Sequence, residues 1–317
     1  MQKAEIIVDI EPMKILAIGF TGVPYFENDV GKEAEARGHT MDFVSARSVS
    51  VDLDNTHVDM LASGKDMTQY DVIHFGAIRK NRWPLIAMAS YLKKHHDTVI
   101  VDDRLVSCTW GEYSGLYKYL TQHDEGIRFP RSLVFKKVKD VQDKLATFEF
   151  PVIIKTNSSR QGLGVGLARN VDEIVSFVKE RGALDKGVGF VLRERIPNDG
   201  DYRVNVVDGK AVICLKRTPK AGEYRSNISL GGTLTNVKLE DAPEICAIAE
   251  KISNICGFDI SGVDVMVHAE TGEPYILEVN RAPGSLEDDV EASGVSLAKL
   301  FVNLYEKRLR MRDELSF

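Results

Sequence analysis

The chain has 317 residues, 44% of them hydrophobic and 28% charged, with a formal net charge of -6. That length supports two or three lobes with substantial cores. The negative balance excludes a general nucleic-acid-binding surface, which shows as an excess of Lys and Arg, and no apolar run reaches membrane-spanning length.

The opening "MQKAEIIVDIEP" carries acids inside its apolar run and does not suit a signal peptide. Cys108, Cys214, Cys246 and Cys256 form no CxxC pair and no Cys/His metal spacing, so they read as reduced thiols of a cytoplasmic protein. "MKILAIGF" (Met13 to Phe20) reads as a buried strand, followed by a Gly/Pro loop and a helix ending near Gly38. "YDVIHFG" and "TVIVDD" are two more strands, separated by a helix from about Pro84 to His96. Strands alternating with helices predict a parallel α/β unit that ends near Ser107. It lacks the G-x-G-x-x-G of a dinucleotide site, which argues against NAD. His95 and His96 sit at a helix end, where the dipole accounts for them.

From Cys108 a helix leads to "GIRFPRSLVF", a turn and strand. "FPVIIKTNSSRQGLGVGLARN" then combines a buried strand ending at Lys155, a polar Gly-rich loop and a returning strand from about Val165. Gly162, Gly164 and Gly166 let the backbone approach a ligand and expose N–H groups, with Lys155 as a point charge for phosphate. A tight turn beside a solvated lysine explains the same residues. "FVLRERIP" is a further strand. "DYRVNVVDGKAVICLKR" is a hairpin about Asp208-Gly209. A strict two-residue turn puts Arg203 and Lys216 on one face and Arg217 on the other, whereas a bulge reverses the second strand. "EYRSNISLGG" follows as a loop.

"GVDVMVHAETGEPYILEVNRAPG" shows period-two patterning on both sides of a turn-rich stretch. With Ala269 to Glu273 as the loop, Asp264 lies opposite Glu278, and Asn280 shares their face. A slip of one residue would separate the acids. Two facing carboxylates repel unless one is protonated or a cation lies between them. Two carboxylates and an amide suit Mg²⁺. The alternative is a pair of solvated acids on an exposed sheet.

The ordered set of Lys155, the Gly loop, Glu194, "DYR", "KR", "RSN", Asp264 and "EVNRAPG" resembles the ATP-grasp superfamily, and in particular the RimK-type carboxylate–amine ligases. The resemblance runs from about Gly111 to the C-terminus. It implies an ATP-grasp fold, mixed α/β and α+β, with an N-terminal Rossmann-like pre-ATP-grasp domain at 1–107, a central lobe at 108–190 and a C-terminal lobe at 191–317.

The same resemblance implies roles for individual residues. Lys155 holds ATP phosphates under a closing loop that includes Ser158, Gly162 and Gly164. Glu194, Arg195 and Ile196 meet adenine, and Asp201 lies near the ribose. Arg225, Ser226 and Asn227 reach the phosphates or the reacting carboxylate. Asp264, Glu278 and Asn280 hold two Mg²⁺ ions, with Mn²⁺ able to substitute, and Arg203, Arg217 or Arg225 stabilises the reacting centre. The family's second phosphate lysine has no direct match: Ser114-Gly115 occupies its place, with Lys118 one turn on. Arg193 stands where Gln is usual and Arg281 where a small residue is common, and both hint at an anionic substrate.

The implied activity is amide formation through an acyl phosphate, joining an amino acid such as glutamate to a carboxylate-bearing peptide, protein end or metabolite. A non-catalytic ATP-binding regulatory module and a phosphotransferase are the alternatives. The same family implies a dimer or tetramer, and the charge and the lack of a long apolar run argue against a nucleic-acid or membrane partner.

Overall fold

The computed structural model describes residues 11–76, 78, 82–105, 126–156, 164–184, 189–220, 231–281, 283 and 286–315. The first part runs β1 (Lys14–Ile18), a helical turn continuing into α1 (Gly31–Ala36), β2 (Thr40–Val44), and a small antiparallel sheet of β3 (Val49–Leu53), β4 (Val58–Ala62) and β5 (Lys65–Asp66). Then follow β6 (Val72–Phe75), α2 (Arg82–His95) and β7 (Val99–Val101). β1, β2, β6 and β7 form a parallel sheet in the order β2-β1-β6-β7. The continuous apolar runs "ILAI", "VIHF" and "VIV" follow from burial on both faces. One face (Leu16, Ile18, Ile73, Phe75) packs on Leu85, Met88, Ala89 and Leu92 of α2.

A second, antiparallel sheet has the order β10-β9-β11-β8, built from β8 (Ser132–Phe135), β9 (Val152–Thr156), β10 (Val165–Ala168) and β11 (Phe190–Glu194). The short α3 (Gln142–Leu145) follows β8, and α4 (Val171–Leu184) links β10 to β11. Val152, Ile154, Phe190 and Leu192 form its core with Ile174 of α4. A Cβ at Gly166 would lie 3.0 Å from the Phe177 ring, so glycine lets α4 sit this close.

The third sheet runs β14-β13-β12-β15-β16, antiparallel throughout: β12 (Asp201–Val207), β13 (Lys210–Thr218), β14 (Thr233–Val237), β15 (Ile260–Val267) and β16 (Pro274–Asn280). α5 (Pro243–Cys256) covers one face through Cys246, Ala249 and Ile252 against Val204, Val206, Val263 and Val265. α6 (Leu286–Ser293) lies against β13 and β14. The last helix, α7 (Ala298–Leu315), is a shared layer. Its Phe301, Val302, Tyr305 and Leu309 pack in one core with Ile15, Ala17 and Val101 of the parallel sheet and with Val207, Ile213 and Ile260 of the third sheet.

Candidate functional site

Two β-bulges decide which side chains meet. In the β12–β13 hairpin Val207 pairs with Lys210 and Val206 with Ala211, but Asn205 pairs with Ile213. The extra residue, Val212, brings Arg217 opposite Asp201, so Arg217 and Arg203 share a face. The bulged alternative of the sequence reading is the one the chain adopts. Lys216 points to the other face, 2.5 Å from Asp199 and over the Tyr202 ring.

In the β15–β16 hairpin the expected pairing arises by an unexpected route. Val267 pairs with Pro274, so the loop is one residue longer than the five expected, and a bulge at Leu277 then restores Asp264 opposite Glu278. Ile276 and Val279 are both buried under α5. Placing those two on one face needs an extra residue between them, which the strict alternation of Tyr275, Leu277 and Val279 did not anticipate. Asn280 pairs with Gly262, two positions beyond Asp264 on the same face.

On this face Asp264 is held by two arginines. Arg203 donates from Nε to Oδ1 (2.5 Å) and from Nη2 to Oδ2 (3.2 Å), and Arg217 Nη2 lies 2.9 Å from Oδ2. Arg217 also makes a bidentate pair with Asp201, at 2.7 and 2.6 Å. Burial by itself would raise the Asp264 pKa, but the two guanidinium charges outweigh it and hold the carboxyl at about 2. The acids therefore coexist for a reason the sequence reading did not give: arginine supplies the counter-charge to the buried acid, and Glu278 is exposed. The turn before β12 depends on Gly200, which has φ +136° and where a Cβ would lie 2.3 Å from the Arg217 carbonyl oxygen.

Beneath this cluster lie two residues the motif reading passed over. Asn205 donates from Nδ2 to Asp289 of α6 (2.7 Å), and both are buried. Burial raises the Asp289 pKa against the pull of Arg203. A polar residue inside the apolar run "RVNVV" was the available signal for Asn205.

The second sheet touches this one through Arg193. Ile154 and Thr156 of β9 face inward, leaving Lys155 on the opposite face, paired in register with Val191 and Val165. Arg193, two residues from Val191, donates from Nη1 to the Leu277 carbonyl (3.1 Å) and from Nε to Ser132 Oγ (3.2 Å). This arginine spans the two sheets next to the bulge before Glu278. Glu194 ends β11, and its Oε1 accepts from the Arg131 N–H (2.8 Å) while Arg131 O accepts from the Glu194 N–H. Arg195 and Ile196 follow it, with Ile196 buried. Gly164 has φ +84°, and its carbonyl accepts from Thr156 N–H (3.1 Å), which closes the neck of the loop.

Arg281 has a different place from the anion contact hinted at by the sequence. Its guanidinium is buried and donates to the carbonyls of Phe75 and Gly76 and to Asp102 Oδ2. Lys118, Ser158, Gly162, Arg225, Ser226, Asn227 and Cys108 lie outside the described residues. Cys214, Cys246 and Cys256 are not in disulfides.

Among the described residues no group of three or more His, Cys, Asp and Glu side chains is placed to hold a metal ion. An ion on this face therefore relies on the mixed set of Asp264, Glu278 and Asn280. The donors fit a hard cation: all are oxygen, and Asp264 stays ionised. The arginines contact Asp264 Oδ1 once and Oδ2 twice, which leaves acceptor capacity on Oδ1. No helix among the described residues is long and apolar enough to cross a membrane.

Residues 116–304 match the RimK-like ATP-grasp domain family, which is more than half of the chain. The chain is 26% identical over 301 residues to a probable alpha-L-glutamate ligase of Psychromonas ingrahamii, covering 94% of this chain and 96% of that one. In fold it is similar to the ATP-grasp ligase PsnB solved with minimal precursor, Mg and ADP, with TM-score 0.67 and 14% identity over 93% of this chain and 97% of that chain. It is likewise similar to D-alanine–D-alanine ligase from Bacillus anthracis complexed with ATP, with TM-score 0.64 and 18% identity over 95% and 99% of the two chains. The three larger sheets, with a Gly-necked hairpin in one and an Asp/Glu/Asn strand pair in another, agree with the ATP-grasp fold of a ligase-type enzyme. The chain belongs to the RimK-like ATP-grasp family.

Proposed function

We propose that this protein is an ATP- and Mg²⁺-dependent carboxylate–amine ligase that joins an amino acid to a carboxylate-bearing acceptor through an acyl phosphate. The observation that carries this reading is the alignment of Asp264, Glu278 and Asn280 on one sheet face, with Arg193 of the Lys155-bearing sheet reaching the Leu277 carbonyl beside Glu278.

A carboxylate resists amines because its leaving group is poor, and phosphorylation by ATP makes it an electrophile. Bound Mg²⁺ would supply charge neutralisation of the phosphate oxygens. Lys155 adds a point charge to the same phosphates, and the loop necked at Gly164 closes over them to keep water from the acyl phosphate. Glu194, Arg195 and Ile196 line the adenine end, and Asp201 approaches the ribose edge. Arg203 and Arg217 are already fixed by Asp264 and Asp201, so they offer preorganised positive charge to the oxyanion formed when the amine attacks. Arg225, Ser226, Asn227 and Lys118 are assigned to phosphate or substrate contact through the family resemblance alone.

An assay of ADP and phosphate release across a panel of amino acids and peptide acceptors tests this, with mass spectrometry of products made from labelled glutamate and cell extract. An amide product with matched ADP and phosphate supports the ligase. Tight Mg-ATP binding without turnover favours a regulatory module, and a phosphorylated product without an amide favours a phosphotransferase.

A further inference from the structure

Arg281 directly follows the strand that carries Glu278 and Asn280. Its side chain leaves the third sheet and ends at the C-terminal edge of the parallel sheet. There it donates to the Phe75 and Gly76 carbonyls, the latter at 2.7 Å, and to Asp102 Oδ2 at 3.3 Å. Asp102 is fully buried just beyond β7. Its other oxygen, Oδ1, accepts from the Asp259 N–H (2.6 Å) and the Ile260 N–H (3.2 Å), at the start of the strand that carries Asp264.

One buried carboxylate therefore touches the roots of both ligand strands, β15 through their main-chain amides and β16 through Arg281. A buried ion pair is costly to desolvate and is not by itself a source of stability. What it supplies here is a fixed geometry between the parallel sheet and the two strands.

We propose that Arg281 and Asp102 form a positioning clamp that sets Glu278 and Asn280 against Asp264 by anchoring both strands to the edge of the N-terminal sheet. The clamp rests on the ligase reading for its purpose. It acts on the metal site through the backbone, in the way outer residues orient metal ligands, and their loss commonly weakens metal affinity about 10–100-fold.

The test compares the unsubstituted protein with Arg281→Ala, Arg281→Lys and Asp102→Asn. Binding of ADP is titrated with Mg²⁺, and amide hydrogen exchange is followed over residues 260–280 without nucleotide. Arg281→Ala is expected to raise the Mg²⁺ requirement for ADP binding about tenfold or more, with Mg²⁺-free ADP binding unchanged, and to speed exchange near Asn280. Arg281→Lys keeps the charge but loses the planar fork, so it should restore part of both effects. Asp102→Asn retains an oxygen for the Asp259 and Ile260 N–H groups and should move the Mg²⁺ requirement in the same direction.

A lowered melting temperature with an unchanged Mg²⁺ requirement overturns the clamp, and so does unchanged exchange. If Arg281→Ala does not fold, Asp102→Asn decides by the same criteria. If the unsubstituted protein shows no Mg²⁺-dependent ADP binding, the ligase reading fails, and the exchange comparison alone decides the clamp.

Discussion

Asp264 and Glu278 stand directly opposite each other on adjacent strands, yet one is buried between two guanidinium groups and the other is exposed. The two acids therefore answer differently to substitution.

Asp264→Asn leaves Arg203 and Arg217 buried with reduced counter-charge. Breaking a buried ion network from one side costs about 3–5 kcal/mol. Urea unfolding should show a loss of that order. Glu278→Gln should stay within about 0.5 kcal/mol of the parent, as surface changes do, while ligase turnover falls about a hundredfold or more. Equal stability losses in the two variants would contradict the asymmetry.

Lys155→Ala removes the point charge from the face of the second sheet. Turnover, read as ADP release, should fall about a hundredfold or more, with the hairpin itself retained because Val165 and Val191 still pair at this position.

Gly200→Ala forces a side chain into a positive-φ turn and against the Arg217 carbonyl. Overpacking of this kind costs about 1–3 kcal/mol. Since Arg217 holds both Asp201 and Asp264, unfolding midpoint and turnover should drop together.

Two buried groups oppose one another in their response to pH. Burial, reinforced by the Arg281 charge, lowers the His74 pKa to about 3, and burial raises Asp102 to about 7 against the pull of Arg281. Between the ordinary values of 3.8 and 6.5, the unfolded chain protonates His74 while the folded chain does not, so stability falls with falling pH. Over the same range the folded chain protonates Asp102 while the unfolded chain does not, so stability rises with falling pH. Over that range these two contributions offset each other. Relative to the parent, Asp102→Asn should lose about 1.4 kcal/mol more per pH unit as pH falls, measured by denaturant unfolding from pH 6.5 to 4.

The chemistry-bearing strands were legible because opposed acids and an Asp-Gly turn leave a local imprint. Lys155 near a strand end follows from period-two patterning, the sequence left the strict and bulged arrangements of Arg217 both open, and Asp264 faces Glu278 because a longer loop and a bulge offset each other. The bulge at Leu277 was not legible, because it is set by the burial of Ile276 and Val279 under α5, an element distant in sequence. Arg281 was misread for the same reason. Its partners, Phe75, Gly76 and Asp102, lie some two hundred residues away in sequence. The helices α4, α5 and α7 bear no chemical motif and were passed over, although α7 fixes the position of the first sheet.

Phe26 stacks on Phe301 at 5.3 Å, and His74 bonds the Tyr305 hydroxyl at 2.7 Å. Until α7 docks, one apolar side of the parallel sheet thus lacks much of its cover. A chain cut before Ala298 would present Ile15, Val72 and Val101 to chaperones.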